Sequence, residues 1–167
     1  LIASGVVIAV TLFLFLQIRI DRKTKRRNER KRLELDKRLQ FALDSTGQGL
    51  WDWDFAKQQG YYSDNLYRLM EIHHGEVCLT FDSFKDRIHA DDRKQFDAAI
   101  AEHISGNKPA FEIEVRMHVG PEDQWNWFHH SGSVIEWDRN RKPKRMIGLL
   151  KNIHHQKLKR IDLEFKA

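Results

Sequence analysis

The strongest constraint on the fold is a strict alternation of apolar and polar residues between Phe111 and Val119. Odd-numbered positions in this stretch are apolar, and even-numbered positions carry Glu, Arg or His. Because successive side chains of a strand point to opposite faces, the pattern predicts a β-strand with one buried and one solvated face. Strands of this kind are typical of antiparallel sheets.

Four further strands are predicted from alternation and turn residues. Residues 124–137 and about 145–153 form two long strands after the first, separated by polar turns at Gly120–Asp123 and Asp138–Pro143. Two shorter strands come earlier in the chain. Residues 50–55 place three aromatic side chains on one face, and residues 61–63 follow a turn near Gln59 and Gly60.

Three short helices are predicted between the two groups of strands. Ser63 or Asp64 caps residues 64–72, Thr80 caps residues 81–89, and Asp91 opens residues 91–104. The order of elements predicts an α+β fold, with a five-stranded antiparallel sheet and short helices on one face. A final segment carries Leu158, Ile161 and Phe165 at helical spacing, so an amphipathic helix is expected after the sheet.

The N-terminal residues have a different character. Residues 1–16 are apolar or small, and dense positive charge follows them, which predicts the end of a transmembrane helix whose basic flank lies in the cytoplasm. We therefore divide the chain into a membrane segment (1–20), a basic cytoplasmic linker helix (21–44), a folded domain (45–154) and the start of an outgoing helix (155–167). The expected location is the inner, cytoplasmic membrane.

The net charge of +5 does not indicate a nucleic-acid-binding protein. Residues 19–38 contain eleven Lys or Arg and four acids, a net charge of +7, so the remaining residues sum to −2. A slightly acidic domain is a poor ligand for phosphate backbones, and we predict a membrane partner and no nucleic acid. Leu35, Leu39 and Ala42 have the spacing of a coiled-coil seam, which favours a homodimer, but packing of this helix on its own domain explains the spacing equally well.

Several motifs resemble the PAS family, in its subgroup with a PAC-type C-terminal half (PAS fold-3). They are GLWDWD at 49–54, YYS at 61–63, HADDR at 89–93, FEIEVRM at 111–117, WNW at 125–127 and RMIGLLKNI at 145–153. Members of this family belong to membrane-bound sensor histidine kinases of two-component systems and to GGDEF diguanylate cyclases. The resemblance covers about residues 40–155 and implies a sensor domain in signal transduction, with a cavity between sheet and helices that holds a small molecule in some members.

The resemblance also implies which residues serve the cavity and the output. Candidate cavity residues are Trp53, Phe84, Phe96, Ile100 and Trp127. The family's Asp-Ile-Thr triplet, which links the last strand to the output helix, corresponds here to Asn152, Ile153 and His154. Asn can cap a helix but carries no charge for an ion pair, so this departure puts the usual relay contact in doubt.

The identity of any cofactor stays open. Flavin photochemistry is not expected, because Cys78 does not lie in the Asn-Cys-Arg-Phe context of photoactive members. Haem is not expected either: the motif alignment puts Asp97 near the position of the haem histidine, and only His103 or His89 remain as candidates. Trp51, Trp53, Trp125 and Trp127 fit a sheet core better than an aromatic ligand cage.

No metal site and no catalytic centre is predicted. His129 and His130 are adjacent on a strand and point to opposite faces, so they cannot share an ion. Glu114 and Arg116 share a strand face and are interpreted as part of a surface ion network. The sequence therefore favours a sensory relay module. The alternatives are a ligand-free dimerisation adaptor, or a fragment of a diguanylate cyclase or histidine kinase whose enzyme domain lies beyond residue 167.

Overall fold

The computed structural model describes residues 2–73, 80–120 and 124–165, without the side chains of residues 2–12, 14 and 165. The chain divides into two compact units, Leu1–Ala42 and Leu43–Ala167. The predicted turn at Pro121–Asp123, together with His74 and Cys78, lies outside the described residues.

A single helix, α1, begins at Ile2 and ends at Thr46. Its residues up to Ala42 belong to the first unit, and the residues from Leu43 onward belong to the second. The helix ends where Gly47 takes a left-handed conformation with φ of 62°, which a residue without Cβ adopts at little cost. Most side chains of the predicted apolar segment 1–16 lie outside the described part. Among the described residues, no helix has both the length and the apolar character required to span a bilayer.

The second unit contains a five-stranded antiparallel sheet with strand order β2-β1-β5-β4-β3. The strands are β1 (Gln48–Asp54), β2 (Gln59–Tyr62), β3 (Phe111–Val119), β4 (Gln124–Trp137) and β5 (Pro143–Asn152). The helices are α2 (Asp64–Met70), α3 (Phe81–Asp86), α4 (Ala90–Ile104) and α5 (His154–Phe165). The predicted α+β architecture and the adjacency of the three long strands are confirmed.

Local predictions differ from the structure at a few element ends. The first hairpin turns at residues 55–58, so Gln59 and Gly60 belong to β2 instead of the turn, and Phe55 leaves the strand. The predicted helix 64–72 ends at Met70 because Glu71 turns into the left-handed region. The predicted helix 81–89 ends at Asp86, since Ile88 pairs with Met117 and His89 donates its backbone N–H to the edge strand.

Caps follow the predicted chemistry. The hydroxyl of Ser63 accepts from the backbone N–H of Leu66, and the hydroxyl of Thr80 accepts from that of Ser83. The third predicted helix, α4, begins at Ala90, one residue earlier than predicted. It does so because Nδ1 of His89 accepts the backbone N–H of Asp91, which makes His89 the N-cap. Side-chain acceptors satisfy N–H groups that the first helical turn leaves without partners.

The core lies between one sheet face and helices α2, α3 and α4. The odd-numbered residues of β3 are buried, as the alternation predicted, and they pack with Trp51, Phe96 and Phe128. Trp51 lies over the cross-strand pair Gly132 and Gly148, where a Cβ on Gly148 would come within 2.1 Å of the indole. Glycine is required there because the indole occupies the space of a side chain.

The HADDR stretch fastens α4 to the edge strand. Asp92 accepts the backbone N–H of Arg116 at 2.8 Å and its guanidinium at 2.9 and 2.8 Å. The hydrogen bonds from this guanidinium lower the pKa of Asp92, whereas burial of the carboxyl raises it. The hydrogen bonds are the larger effect, so the pKa of Asp92 is lowered overall. Arg93 donates to the carbonyls of Ile88 and Asp86. These residues position α4, which covers a small cavity beside the sheet.

Candidate functional site

A small cavity lies between the sheet and the helices of the second unit. Its walls are largely aromatic and come from β1, β2, α3, α4 and β3: Trp51, Trp53, Tyr62, Phe81, Phe84, Phe96, Ile100 and Phe111. The free volume is about 10 Å³, close to the least that holds one water, roughly 10–15 Å³. A larger guest requires the aromatic side chains to move apart.

One wall of this cavity carries a buried polar atom with no partner among the described residues. The indole Nε1 of Trp51 is buried and makes no hydrogen bond. An unsatisfied buried donor costs about 1–3 kcal/mol, so a guest that accepts this N–H would gain from it. The indole ring is held by Phe111, with centroids 6.1 Å apart, and by the two glycines beneath it.

A second buried polar group, His130, lies directly behind the cavity wall. Its ring contacts Phe84 and Phe96 edge to face, with centroids at 5.6 and 5.5 Å. Nε2 lies 2.9 Å from Sδ of Met117. Because a thioether only accepts, Nε2 carries the hydrogen, and Nδ1 is left as a buried acceptor without a partner in the described chain.

The environment of His130 keeps its imidazole neutral. Burial, reinforced by the nearby His129, lowers the pKa of His130 to about 3. Because Met117 takes the Nε2–H, the neutral ring keeps only the Nδ1 acceptor unpaired among the described residues, and it cannot serve as a cation near neutral pH. The cavity is therefore enclosed by an apolar, largely aromatic shell that includes Trp51, and the neutral imidazole of His130 lies behind that shell.

The structure brings together four of the five predicted cavity residues. Trp53, Phe84, Phe96 and Ile100 line the cavity, whereas Trp127 is absent from its walls. In β4 the inward-facing residues are Phe128 and His130, so Trp127 points to the opposite face of the sheet. Because Trp127 is an odd-numbered residue of β4 and the buried residues are even-numbered, the sheet separates Trp127 from the cavity. His129 and His130 likewise point to opposite faces, as predicted.

On the outer face, Trp127 holds the beginning of α5. Its backbone carbonyl accepts the N–H of Ile153 at 2.9 Å, and its N–H donates to Nδ1 of His154 at 3.4 Å. The ammonium of Lys157 lies 4.7 Å from the indole centroid, and the guanidinium of Arg116 lies 5.5 Å from it. These are cation–π distances, so Trp127 anchors the outgoing helix through both backbone and ring.

An ion cluster reinforces this anchor. Glu114, in the middle of the outer face of β3, pairs with the ammonium of Lys157 and, at 3.3 Å, with Arg160. The hydrogen bond from Lys157 is the main cause of a lowered pKa for Glu114. The predicted surface ion network exists, but Glu114 and Arg116 join it through different partners: α5 for Glu114, and α4 for Arg116.

The predicted relay triplet lies at the start of α5. Oδ1 of Asn152 accepts the backbone N–H of His154 at 2.9 Å and so caps the helix. Ile153 is buried, and its carbonyl accepts the N–H of Lys157 at 2.8 Å. The neutral Asn152 forms no ion pair in the described contacts; the charged link between sheet and helix comes from Glu114 instead.

The two haem-candidate histidines have structural partners. Nδ1 of His103 lies 2.9 Å from the carbonyl of Lys108, and Nε2 accepts the N–H of Val134 at 2.9 Å. His89 caps α4 and lies edge to face with Trp125 at 4.8 Å. Neither lines the cavity. Within the described residues, no group of three or more His, Cys, Asp or Glu side chains is arranged to hold a metal ion.

A wider groove lies outside the sheet, between α4 and the outgoing helix. It encloses about 660 Å³ and is open to solvent, with Ala98, Glu112, Glu114, Trp127 and Lys157 among its lining residues. Its polar, open walls lack the enclosure that retains a small molecule, so the inner cavity is the better candidate site.

Sequence reasoning missed three residues of this arrangement: His130, Trp51 as an unpaired donor, and Lys157. The available signal for His130 was its parity with Phe128, two residues earlier on the strand, which places both side chains on one face. Lys157 gave no signal, because its partner Glu114 lies 43 positions earlier in the chain.

Comparisons with known proteins agree with this geometry. The family model described as PAS fold matches residues 59–150. A crystal structure of a sensory box histidine kinase/response regulator from Burkholderia thailandensis E264 is 24% identical, with a TM-score of 0.66 over 77% of this chain and 94% of that one.

Two more distant structures share the fold. The N-terminal domain of a diguanylate cyclase with PAS/PAC sensor from Marinobacter aquaeolei is 14% identical, with a TM-score of 0.54 over 65% of this chain and 97% of that one. The PAS domain of a protein from Colwellia psychrerythraea is 13% identical, with a TM-score of 0.53 over 72% and 98%. No curated protein matches the chain.

Proposed function

Because this chain belongs to the PAS fold family, we propose that it is the sensory and relay module of a signalling receptor, in which the state of the buried cavity changes the packing of α5. The observation that carries the proposal is the sharing of strands between cavity and helix. Strand β4 turns Phe128 and His130 inward and Trp127 outward, and β3 turns Ile113 inward beside the outward Glu114. Strand β3 reaches the cavity through Phe111. A guest that displaces β3 would therefore act on Glu114 directly, and on Trp127 through the pairing of β3 with β4.

A ligand can shift such a two-state system only if it binds one packing arrangement better than the other. The small volume of the cavity supports a mechanism in which the guest separates the aromatic walls and the strands behind them. Once the walls have separated, a small molecule with one acceptor would satisfy the N–H of Trp51, which is buried and has no partner among the described residues. Native mass spectrometry identifies a bound guest by its mass and so tests whether it is a flavin or a haem.

The same proposal includes a membrane receptor that acts as a homodimer. The apolar residues 1–16 and the basic residues that follow support an anchor in the inner membrane with this domain on the cytoplasmic side. Leu35, Leu39, Leu158 and Leu163 are all about half exposed or more, and these apolar side chains on α1 and α5 support pairing with a second copy.

The output belongs to a further domain, and this chain is proposed to be non-catalytic. Two of the similar structures come from a histidine kinase/response regulator and from a diguanylate cyclase with a PAS/PAC sensor. We propose one of these enzyme classes as the recipient of the signal from α5. Sequencing beyond Ala167 decides between them directly.

A second candidate function is a ligand-free dimerisation adaptor. The cavity of about 10 Å³ favours it, because no organic ligand fits without rearrangement. Native mass spectrometry of the fragment Leu33–Ala167 distinguishes the two functions. A co-purifying small molecule that is lost in Trp51→Phe supports the sensor, whereas a dimer without a guest from several growth conditions supports the adaptor. A fragment that stays unfolded contradicts both.

The relay itself can be tested without knowing the ligand. Phe84→Ala empties part of the cavity wall, and Leu66→Ala makes a matched deletion in the same core at a residue that does not line the cavity. We expect hydrogen exchange of α5 to accelerate more in Phe84→Ala than in Leu66→Ala when denaturant is adjusted to equal global stability. Equal acceleration would mean that α5 reports only global stability.

The ion pair between Glu114 and Lys157 allows a second, independent test of the relay. Glu114→Gln removes the carboxylate that pairs with Lys157. Glu112→Gln removes a carboxylate from the same strand face, which lies 3.9 Å from the imidazole of His129 and makes no contact with α5 among the described ion pairs. Partly exposed ion pairs contribute about 0.2–1 kcal/mol, so we expect a few-fold faster exchange of α5 in Glu114→Gln alone. The same result in both variants would remove Glu114 from the relay.

A further inference from the structure

The cations of α1 are not spread evenly around the helix. Every Lys and Arg between residues 19 and 31 except Lys25 lines one groove along the helix, a set of seven cations from Arg19 to Lys31. Glu34 also lines this groove. We call the set of seven cations the basic stripe. At 1.5 Å per residue it extends for about 18 Å.

The opposite side of the same helix segment is electrically balanced. Its groove is lined by Asp21, Thr24, Lys25, Asn28, Glu29 and Arg32, in which two acids offset two bases. A flank that served only to orient a membrane segment would need positive charge but no preferred side. One-sided charge indicates that this face of the helix lies against an anionic surface.

Exposed apolar side chains lie at the N-terminal end of the basic stripe and in the helical turns before it. Phe13, Phe15, Ile18 and Ile20 are each about half exposed, between 49 and 60%. The guanidinium of Arg19 lies 4.8 Å from the centroid of the Phe15 ring. Aromatic and aliphatic side chains next to cations are typical of the boundary between the acyl chains and headgroups of a bilayer, whereas a nucleic acid would leave them uncovered.

We propose that the basic stripe binds the headgroups of anionic phospholipids, so that α1 lies along the lipid surface on this side and its balanced side faces away. The membrane anchor of the proposed function, on which this inference rests, brings the stripe close to the bilayer. Electrostatic attraction to an anionic leaflet acts within about one Debye length, roughly 8–10 Å, so all seven cations contribute only if the helix inclines toward the lipid. Lipid charge would thereby set the angle at which α1 leaves the membrane.

The test uses the whole 167-residue chain in nanodiscs of phosphatidylcholine, with or without phosphatidylglycerol. Trypsin cleavage after Lys23 and Arg27 reports the accessibility of the stripe. We expect cleavage to be at least about fivefold slower in the anionic discs, since each cation near such a surface changes binding by about that factor. High salt restores cleavage, because it screens exposed charges.

Two double variants separate the stripe from net charge. Arg26→Gln with Arg30→Gln removes two cations from the stripe, and Lys25→Gln with Arg32→Gln removes two from the balanced side. Both keep the cleavage sites after Lys23 and Arg27. We expect the first variant to lose most of the lipid-dependent protection and the second to retain it.

Three results would overturn the proposal: equal cleavage in both kinds of disc, equal loss of protection in both variants, or equal protection in neutral discs by a short DNA duplex. The last result would identify a nucleic acid as the partner. The anchor is scored separately, by whether the chain remains with neutral discs in high salt. Its failure would contradict the membrane part of the proposed function, whichever lipid the stripe prefers.

Discussion

The buried imidazole of His130 should impose a specific pH dependence on stability. Its pKa is about 3 in the folded protein, because the ring is buried between the cavity wall and Met117. In the unfolded chain the pKa returns to the ordinary value of 6.5. As pH falls below 6.5, the unfolded state binds a proton that the folded state rejects, so stability is lost as the solution is acidified.

The size of this loss follows from proton linkage. Between pH 7 and pH 5, a histidine with these two pKa values lowers the free energy of unfolding by about 2 kcal/mol. Over most of this range Asp92 and Glu114 contribute little slope, since their ordinary values are 3.8 and 4.5 and both are lowered further on folding. Their stabilising contributions are lost only at more acidic pH.

Urea unfolding of the fragment Leu33–Ala167, followed by tryptophan fluorescence at several pH values between 7 and 5, measures the slope. His130→Gln keeps a polar side chain of similar size but removes the titration, so its unfolding free energy should vary by about 2 kcal/mol less over this range. His129→Gln is the matched control, because it removes the neighbouring imidazole from the outer face. Parallel pH profiles for His130→Gln and the unaltered fragment would refute the reasoning.

Three further substitutions test contacts around the site in the same fragment. Gly148→Ala places a Cβ 2.1 Å from the Trp51 ring, so a loss of at least about 1–3 kcal/mol is expected in urea unfolding; an unchanged midpoint would contradict this packing. Asp92→Asn weakens the charge-assisted hydrogen bonds from Arg116, so the free energy of unfolding should fall by about 1.5–3 kcal/mol and should decline less below pH 4. The same decline below pH 4 as in the unaltered fragment would contradict this role of Asp92. Asn152→Ala removes the α5 cap and should lower the stability of the helix start by about 1 kcal/mol. Hydrogen exchange at the start of α5 should therefore be faster in Asn152→Ala, but not in Asn152→Asp, which keeps an acceptor.

Much of the fold could be predicted because its signals are local. The alternation in β3 has the period of a strand, and Ser63 and Thr80 cap helices through hydrogen bonds to residues three positions later. Element ends were less predictable. Helix α3 stops early because Ile88 and His89 pair with the edge strand, a long-range contact that competes with the helical pattern.

The candidate site was predictable only in part, for a reason visible in β4. Aromatic or imidazole side chains occupy both faces of this strand between Trp125 and His130, so alternation alone does not say which face is buried. Trp53, Phe84, Phe96 and Ile100 meet at the cavity, but Trp127 belongs to the outer face and to α5. The register of β4 between β3 and β5 decides the parity.

The sequence by itself determined the order of strands and helices, their capping residues and the PAS motifs, because these depend on periodicity and on interactions within a few residues. Only the tertiary structure decided that Trp51 and His130 are buried with polar atoms that have no partner in the described part of the chain. It also decided that Glu114 instead of Asn152 provides the charged link to α5. The physical reason is that burial and ion pairing depend on which distant segments share a sheet face. Chain proximity does not specify that arrangement.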